Sequence, residues 1–221
     1  MTGSNSAAPL PIVVLISGNG TNLQAIIDAV KNGQLPAEIR AVISNRPQAF
    51  GLERARRAGI PIEVVDHTLY SDRNAFDSAL QTAIDRYNPA LVVLAGFMRI
   101  LTSQLVQHYH GRMLNVHPSL LPEFRGLDTH RRALAACVKE HGASIHFVTD
   151  ELDGGPVIIQ KKVPVLPDDD APKLAARVQE AEHLLYPRVI RWIAEGRLEL
   201  HNNRLTFDGS PLLSPLPGDT A

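Results

Sequence analysis

Short hydrophobic runs alternate with amphipathic segments along the first half of the chain. The runs are rich in β-branched residues and nearly continuous, which is typical of strands buried on both faces of a parallel sheet. They are "IVVLIS" (12–17), "IRAVIS" (39–44), "PIEVVD" and "ALVVLAG" (90–96). The segments between them predict helices, and these are "TNLQAIIDAVKNG", "AFGLERARRAG" and "SDRNAFDSALQTAIDRY", the last starting at Ser71. This alternation predicts a three-layer α/β fold, with a mostly parallel sheet and helices on both faces.

The second half of the chain predicts a continuation of the sheet with a change of direction. A helix is predicted around residues 103–110, followed by the strand "RMLNVH" and the helix "THRRALAACVKEHG". The runs "ASIHFVT" and "PVIIQKKVPV" predict a pair of strands, an antiparallel addition, before a long helix with Pro172 near its start. Residues 1–11 are predicted to be a flexible tail, 12–200 a single domain, and 201–221 an irregular tail.

Composition and charge exclude several classes of partner. The 221 residues include 22 Lys and Arg against 23 Asp and Glu, and no dense basic stripe, which argues against non-specific nucleic-acid binding. The hydrophobic runs are far too short to span a bilayer, and the first residues lack the basic and apolar regions of a secretory signal. Cys137 is the only cysteine, so no intrachain disulfide can form, and the cytoplasm is the predicted compartment.

A glycine loop, "SGNGTN" (17–22), joins the first strand to the first helix. Its glycines let backbone N–H groups approach a ligand, and the helix N-terminus favours an anion. Thr21 and Gln24 fit a capping box at the start of this helix. A dinucleotide site needs a small residue where Leu23 stands and an acid after the second strand, where "ISNRP" has none. A phosphomonoester therefore fits better than a nicotinamide cofactor, and a tight turn that simply packs is the alternative.

The stretch "LNVHPSLLP" (114–122) ends a predicted buried strand with polar residues. Asn115 and His117 share one face because side chains alternate along a strand, and Pro118 places His117 at the strand end. Histidine serves as a general acid or base near neutral pH, and an asparagine amide can donate to an oxygen on which charge develops. The alternative is a histidine that is merely capped or satisfied where the strand frays into a loop.

An acidic turn, "TDELDGGPV" (149–157), follows a later strand and offers carboxylates that could tune His117. Its alternative is a solvated loop. His141 is predicted at the end of a helix and His146 within a strand, and no HExxH or CxxC spacing exists, so no metal site is expected. Cys137 is predicted to lie in a helix as a small core residue.

Five segments together resemble one known family. They are "VVLISGNGTNLQAII", "VLAGFMRIL", "LNVHPSLLP", "HFVTDELDGGPVI" and "RVQEAEHLLYP". In this order and spacing, from about residue 12 to about residue 197, they resemble the phosphoribosylglycinamide formyltransferases, or GAR transformylases, whereas "HPSLLP" alone indicates only the wider folate-dependent formyltransferase superfamily. The resemblance implies a Rossmann-like formyltransferase fold, with a phosphate-binding part at about 12–100 and a folate and catalytic part at about 96–200.

The resemblance also implies roles for individual residues. Asn115, His117 and Asp153 match the catalytic trio, and Glu182 matches an acid near the substrate amine. Glu182 lies at the edge of the apolar stripe of its helix, so it is able to face inward. The phosphate loop is matched by Gly20, Thr21 and Asn22. The folate pocket is matched by Arg73, Met98, Arg99, Ile100, Leu101, Asn115, Thr149, Asp150, Glu151, Leu152 and Asp153.

The implied reaction belongs to purine biosynthesis. A formyl group passes from the co-substrate 10-formyltetrahydrofolate to the amine of glycinamide ribonucleotide by direct attack and a tetrahedral intermediate. Asn115 and protonated His117 would stabilise the charge on oxygen, and Asp153 would hold His117 charged and help to relay a proton. One segment departs from the family pattern: after "LLP" the family often has Pro-Gly-Leu-His-Thr-His, whereas Arg125 and Asp128 stand here in place of a Pro and a His.

Two rival functions stay open at this point, and a third is disfavoured. A formyl-methionyl-tRNA synthase activity needs a basic tRNA-binding domain that the sequence does not contain. A formyltetrahydrofolate hydrolase would use the same trio without needing Glu182 or the phosphate loop. A non-catalytic phosphometabolite-binding protein would keep the loop and have no use for the trio. The expected partners are small-molecule substrates, without nucleic acid or membrane, and the expected state is a monomer or homodimer.

Overall fold

Strands and helices alternate through the residues that the computed structural model describes, 8–201 and 204–220. The strands are β1 (Leu10–Ile16), β2 (Ala37–Ser44), β3 (Ile62–Val64), β4 (Leu91–Leu94), β5 (Met113–His117), β6 (Glu140–Phe147), β7 (Val157–Pro164), β8 (Leu198–His201), β9 (Arg204–Phe207), β10 (Ser210–Pro211) and β11 (Leu216–Pro217). The helices are α1 (Thr21–Lys31), α2 (Phe50–Arg57), α3 (Arg73–Asp85), α4 (Ser103–His108), α5 (Thr129–Ala135) and α6 (Ala171–Ala194). Across these ranges, no helix has the length and apolar character needed to cross a membrane.

The main sheet has eight strands in the order β11-β7-β6-β5-β4-β1-β2-β3. Strands β1 to β5 pair with one another in parallel. Strands β5, β6 and β7 pair antiparallel, and β11 returns parallel to β7. The predicted mostly parallel sheet with an antiparallel addition is therefore confirmed.

Strand β1 explains why the sheet is covered on both faces. Ile12, Val14 and Ile16 pack in one hydrophobic cluster with residues of α1, α2 and α6. Val13 and Leu15, which point the opposite way, pack in a second cluster with residues of α3 and α4. All five side chains are fully buried. A continuous hydrophobic run is thus required at this central strand, and the predicted three layers are confirmed.

The predicted helix "THRRALAACVKEHG" is wrong in its second half. Helix α5 ends at Ala135, and Cys137 has a φ of 51°, a left-handed conformation that takes the chain out of the helix. Cys137 is exposed and is not a core residue. His141 lies in β6 rather than at a helix end. Gly142 is required there because a Cβ would lie 2.1 Å from the carbonyl oxygen of Lys161 on β7.

The ends of the chain also differ from the prediction. Strand β1 begins at Leu10, inside the expected tail, and residues 1–7 lie outside the described part. After residue 200 the structure contains strands rather than an irregular tail: β8, β9 and β10 form an antiparallel sheet, and β11 joins the main sheet. Phe207 packs edge-on against Trp192 of α6, with ring centroids 4.8 Å apart. Burial against α6 therefore orders residues whose composition predicts turns.

Candidate active site

The polar end of β5 faces the antiparallel strand β6. Asn115 and His117 lie on one face, and His117 is the last residue of the strand, as predicted. In the register of the two strands, Asn115 is opposite His146 and His117 is opposite Ser144. The antiparallel pairing therefore brings a second histidine to Asn115, which the sequence pattern did not connect with it.

The imidazole of His117 lies between two oxygen acceptors. Its Nδ1 is 3.4 Å from Oδ2 of Asp153, and its Nε2 donates to the carbonyl oxygen of Phe124 at 3.0 Å. A carbonyl only accepts, so Nε2 carries a proton, and a second proton on Nδ1 lets the ring donate to Asp153 as well. The side chain is buried, and the two acceptors fix the plane of the ring.

Asp153 reaches His117 from the tight turn between β6 and β7. Its φ is 49°, and its Oδ2 also accepts from the backbone N–H of Gly126 at 2.9 Å. A Cβ at Gly155 would lie 1.9 Å from the carbonyl oxygen of Phe147, so only glycine lets the turn pack on the end of β6. This close approach brings the carboxylate to the imidazole.

His146 orients the carboxamide of Asn115. Nδ2 of Asn115 donates to Nε2 of His146 at 3.2 Å, and Nδ1 of His146 donates to the carbonyl oxygen of Phe147 at 2.9 Å. Burial lowers the pKa of His146, with the Phe147 carbonyl and Asp153 opposing, so the neutral ring accepts from Asn115. One N–H of the carboxamide stays outside this bond. The structure thus brings Asn115, His117 and Asp153 into one cluster.

The other residues of the acidic turn have more exposed surroundings than Asp153. Thr149 is half-buried, and Asp150 is exposed and accepts from Nε2 of Gln107 at 3.4 Å. Leu152 is 50% exposed. The roles of these side chains in folate binding stay predictions, whereas the carboxylate of Asp153 reaches the imidazole of His117.

The departure from the family pattern places an ion pair across the cluster. The Arg125 guanidinium pairs with the exposed Glu151 carboxylate, which connects the loop after β5 to the acidic turn. Arg132 donates to the carbonyl oxygen of Arg125 at 2.6 Å and holds the same loop from α5. Asp128 has a φ of 55° and precedes α5 without capping it through its side chain. Arg125 therefore contributes to the position of the loop.

Two further histidines lie beneath this loop. His130 and His141 have ring centroids 5.3 Å apart, and Phe124 packs edge-on against His141 at 5.7 Å. Burial lowers the pKa of His141 to about 4, His130 and His117 act in the same direction, and the carbonyl of Pro118 opposes them. Burial also lowers the pKa of His130. Both rings are therefore neutral in the folded protein at neutral pH.

This cluster predicts a loss of stability in mild acid. In the unfolded chain His141 takes up a proton below its ordinary pKa of 6.5, whereas the folded protein takes it up only near 4. The contribution of His141 to the free energy of unfolding is therefore fully present above about pH 6.5. It is lost as the pH falls towards 4, by at most about 1.4 kcal/mol per pH unit. We expect His141→Leu to flatten the pH dependence of the urea-unfolding free energy between pH 7 and 5. The exposed His201, changed to Gln, is the control, and an unchanged slope in His141→Leu would contradict the assignment.

The glycine loop forms the N-terminus of α1. Gly20, with a φ of 75°, is the N-cap residue and Thr21 is the first helical residue, so the predicted capping box is wrong. A Cβ at Gly20 would lie 2.7 Å from Cα of Gly51 in α2, so packing alone requires glycine here. The first N–H groups of α1 have no intrahelical partners, and such groups bind anions. The loop is thus built for close packing, and it carries the N–H groups of a helix N-terminus.

Asn22 and Glu182 form a buried pair although they are 160 residues apart in the chain. Nδ2 of Asn22 donates to Oε2 of Glu182 at 2.7 Å. Oδ1 of Asn22 is buried and has no hydrogen-bond partner within the described ranges. Burial raises the pKa of Glu182, and the bond from Asn22 opposes this. A buried acid beside an unpartnered amide oxygen is suited to receive the N–H groups of a ligand.

Residues 98–101 form an irregular segment between β4 and α4. Met98 and Ile100 are 60% and 54% exposed, so these two large apolar side chains lie mostly in solvent. Leu101 is partly buried against the core. We call these four residues the exposed segment.

The two arginines of the predicted folate pocket have different surroundings. The Arg99 guanidinium lies over the Phe76 ring, 5.5 Å from its centroid. Arg73 is exposed at the first residue of α3, and the described part of the chain gives it no polar contact with the other candidate residues. The structure therefore does not bring Arg73 into the cluster around His117.

Comparison with known proteins identifies the class of this fold and site. Residues 10–190 match the family model described as "Formyl transferase". The chain is 57% identical to phosphoribosylglycinamide formyltransferase of Escherichia coli (strain K12), over 91% of this chain and 95% of that protein. It is 44% identical to the human trifunctional purine biosynthetic protein adenosine-3, over 87% of this chain and 19% of that protein.

Solved structures agree with the sequence relatives. The phosphoribosylglycinamide formyltransferase of Coxiella burnetii is 55% identical, with a TM-score of 0.90, over 95% of this chain and all of that one. A formyltetrahydrofolate deformylase of Pseudomonas syringae is 28% identical, with a TM-score of 0.84, over 91% of this chain and 67% of that one. The fold is thus that of a formyl transferase. Within that class, the chain belongs to the phosphoribosylglycinamide formyltransferase family.

Proposed function

We propose that Asn115, His117 and Asp153 carry out transfer of a formyl group from 10-formyltetrahydrofolate to the amine of glycinamide ribonucleotide. The chain is an enzyme of a family that performs formyl transfer in purine biosynthesis. The observation that supports the assignment is the cluster itself, in which His117 faces the Asp153 carboxylate at 3.4 Å and Asn115 lies on the same strand face. An amide donor, an imidazole and a carboxylate supply charge stabilisation and proton transfer.

The proposed mechanism uses these side chains without a covalent bond to the enzyme. As the amine attacks the formyl carbon, the free N–H of Asn115 and an N–H of His117 donate to the formyl oxygen, each worth about 2.7–4 kcal/mol. Asp153 stabilises the doubly protonated ring and helps to move the proton lost by the amine to the leaving nitrogen, directly or through water. The bond between the formyl carbon and that nitrogen then breaks and releases tetrahydrofolate. In this structure, Nε2 of His117 donates to the Phe124 carbonyl. The loop that carries Phe124 therefore has to release this bond before Nε2 can donate to the formyl oxygen.

We assign the glycinamide ribonucleotide to the glycine loop and the buried acid. Gly20, Thr21 and Asn22 hold the phosphate, because the N-terminus of α1 presents free N–H groups and the positive end of the helix dipole. Glu182 receives the substrate amine. The support for this is the burial of the carboxylate and the unpartnered Oδ1 of Asn22 beside it.

The residues present also fit a folate. Formyl transferases use a formyl-tetrahydrofolate co-substrate, and the exposed apolar side chains of Met98, Ile100 and Leu152 offer the surface that a fused ring needs. The folate supplies the formyl group as an electrophile. Arginine suits its carboxylates because of its fork of donors. The remaining proposed folate residues are Arg73, Arg99, Leu101, Thr149, Asp150, Glu151 and, from the cluster itself, Asn115 and Asp153.

A formyltetrahydrofolate hydrolase is the second candidate, because the Pseudomonas syringae deformylase has the same fold. Hydrolysis needs no amine and no phosphate. The hydrogen bond between Asn22 and Glu182 at 2.7 Å lies next to the glycine loop and has no purpose in hydrolysis, which favours transfer.

An assay with 10-formyltetrahydrofolate, with and without glycinamide ribonucleotide, tests the proposed function. We expect release of tetrahydrofolate only when the ribonucleotide is present, in equal amount to the formylated product, because the amine is the acceptor. A ribonucleoside lacking the phosphate is the matched control, and it should react much more slowly. Release at the same rate without the ribonucleotide would identify a hydrolase instead.

The compartment and the partners of the enzyme are also part of the proposal. We propose that a single domain, from Leu10 through β11, acts in the cytoplasm, since the substrates are small metabolites and the single cysteine suits a reducing compartment. We propose a monomer or homodimer without metal, nucleic acid or membrane among its partners.

A further inference from the structure

We propose that Ser17 is a positioning residue for formyl transfer, whose hydroxyl holds the exposed segment in register with the phosphate loop. The expected effect on formyl transfer rests on the proposed function. The hydrogen bonds that Ser17 makes do not depend on it. Ser17 follows the last residue of β1 and directly precedes Gly18 of the glycine loop. Its side chain is almost fully buried, at 3% exposure.

The hydroxyl of Ser17 connects the ends of three neighbouring strands. The backbone N–H of Met98, after β4, donates to Oγ at 2.7 Å, and Oγ donates to Oδ1 of Asn45, after β2, at 2.6 Å. Since an N–H can only donate, Ser17 must accept from Met98, and its single proton is committed to Asn45. Strands β4, β1 and β2 are adjacent in the sheet, so the hydroxyl is a cross-link over β1.

The backbone around Gly96 makes this contact possible. Gly96 has a φ of 73°, which turns the chain after β4 so that the N–H of Met98 faces Ser17. The carbonyl oxygen of Gly96 accepts from the backbone N–H of Ser17 at 3.2 Å. At the far end of the exposed segment, the backbone N–H of Thr102 donates to Oδ2 of the buried Asp77 at 2.6 Å. The segment is therefore fixed by one side-chain hydrogen bond at each end.

At its Met98 end, the exposed segment depends on hydrogen bonding more than on packing, whereas Leu101 at the other end packs against the core. Met98 and Ile100 are mostly exposed, so burial does not fix their place. Asp77 anchors the segment to α3, whereas Ser17 anchors it to the first residue of the glycine loop. Ser17 therefore controls the distance between the proposed folate surface and the proposed phosphate site. A shift of the segment would misalign the amine and the formyl carbon, to which rates are highly sensitive.

Ser44 offers a matched control for the loss of a buried serine hydroxyl. It is fully buried at the end of β2, and its Oγ donates to the carbonyl oxygen of Arg46 and accepts from the backbone N–H of Arg46. It makes no bond to the exposed segment. A Ser44→Ala change therefore removes the same chemical group from the same edge of the sheet without releasing Met98.

The first test is amide hydrogen exchange in the unliganded protein, measured residue by residue by NMR. We expect Ser17→Ala to speed exchange at Met98 by about two- to tenfold, the equivalent of one net hydrogen bond. The amide of Thr102, which follows the exposed segment and is bound to Asp77, is the reference. Ser44→Ala should leave the Met98 rate unchanged. Equal Met98 rates in Ser17→Ala and wild type would overturn the proposal.

The second test separates positioning from general destabilisation by kinetics. We expect Ser17→Ala to lower kcat/KM for the folate by about two- to tenfold, Ser17→Thr to restore it through its hydroxyl, and Ser44→Ala to match wild type. A folded Ser17→Thr as impaired as Ser17→Ala, or an equal loss in Ser44→Ala, overturns the proposal. If threonine does not fit, the two alanine variants decide. If the wild-type protein itself shows no formyl transfer, the proposed function is refuted instead. The hydrogen-exchange experiment would still test whether Ser17 holds Met98.

Discussion

Replacement of His117 by alanine will lower kcat for formyl transfer by about 10²- to 10⁴-fold, and Asp153→Asn will cause a loss of similar order. This range is typical for removal of a general acid–base group or an oxyanion donor. His117→Ala deletes the ring that lies between Asp153 and the Phe124 carbonyl. Asp153→Asn keeps an oxygen that can accept from the N–H of Gly126 but removes the charge that faces the ring. Single-turnover kinetics with both substrates saturating measure the chemical step.

The controls for this pair are the same two substitutions at an exposed histidine and an exposed aspartate. His201 is exposed on β8 and Asp168 is exposed before α6, so His201→Ala and Asp168→Asn remove the same groups far from the cluster. Both should transfer formyl groups at the wild-type rate. Circular dichroism and urea unfolding check that the active-site variants are folded. Near-normal turnover in folded His117→Ala and Asp153→Asn would refute the mechanism.

Replacement of Glu182 by glutamine will lower kcat/KM for the ribonucleotide by about 10- to 100-fold and, at the same time, stabilise the free enzyme at alkaline pH. The first effect is the loss of one charged hydrogen bond to the substrate amine. The second follows from burial, which raises the pKa of Glu182. Because the folded state holds its proton more tightly than the unfolded state, stability is present at low pH and lost as the pH rises through the folded pKa. Glutamine removes that loss and still accepts from Asn22.

Two measurements separate these effects. Urea unfolding at pH 8 should give a larger free energy for Glu182→Gln than for wild type, and the difference should shrink towards pH 4. The exposed Glu180→Gln on the same helix is the control, with no change in either quantity expected. Wild-type kcat/KM in Glu182→Gln would remove Glu182 from the substrate site, whereas unchanged stability at pH 8 would contradict its buried charge.

Two features of the candidate site follow from local sequence patterns, and one predicted helix does not. The strand end at His117 follows from local rules, since alternation and the following proline fix both the face and the position. The inward turn of Glu182 follows from helical periodicity, which placed it at the edge of an apolar stripe. The helix predicted over 129–142 failed because Gly142, which resembles a helix end, serves the close approach of β7 to β6.

The contacts of the cluster were beyond local rules because each depends on register or on long-range packing. His146 faces Asn115 only through the antiparallel pairing of β5 with β6, and a shift of one residue would turn it to the opposite face. Arg125 was recognised as a departure from the family, but its ion pair with Glu151 depends on how two loops meet. A prediction of the β5–β6 register would have found His146.

The sequence by itself determined the layers of this protein and the type of chemistry it holds. Hydrophobic periodicity is local, so runs such as that of β1 fix a strand with two buried faces, and the order of polar segments fixes the family. Only the tertiary structure decided which polar atoms meet. Asn22 and Glu182 bond across 160 residues, and Ser17 bonds to Met98 and Asn45, because those distances are set by the packing of whole strands and helices. The sequence gives the chemical type of each side chain, whereas the distances between reacting groups depend on the completed sheet.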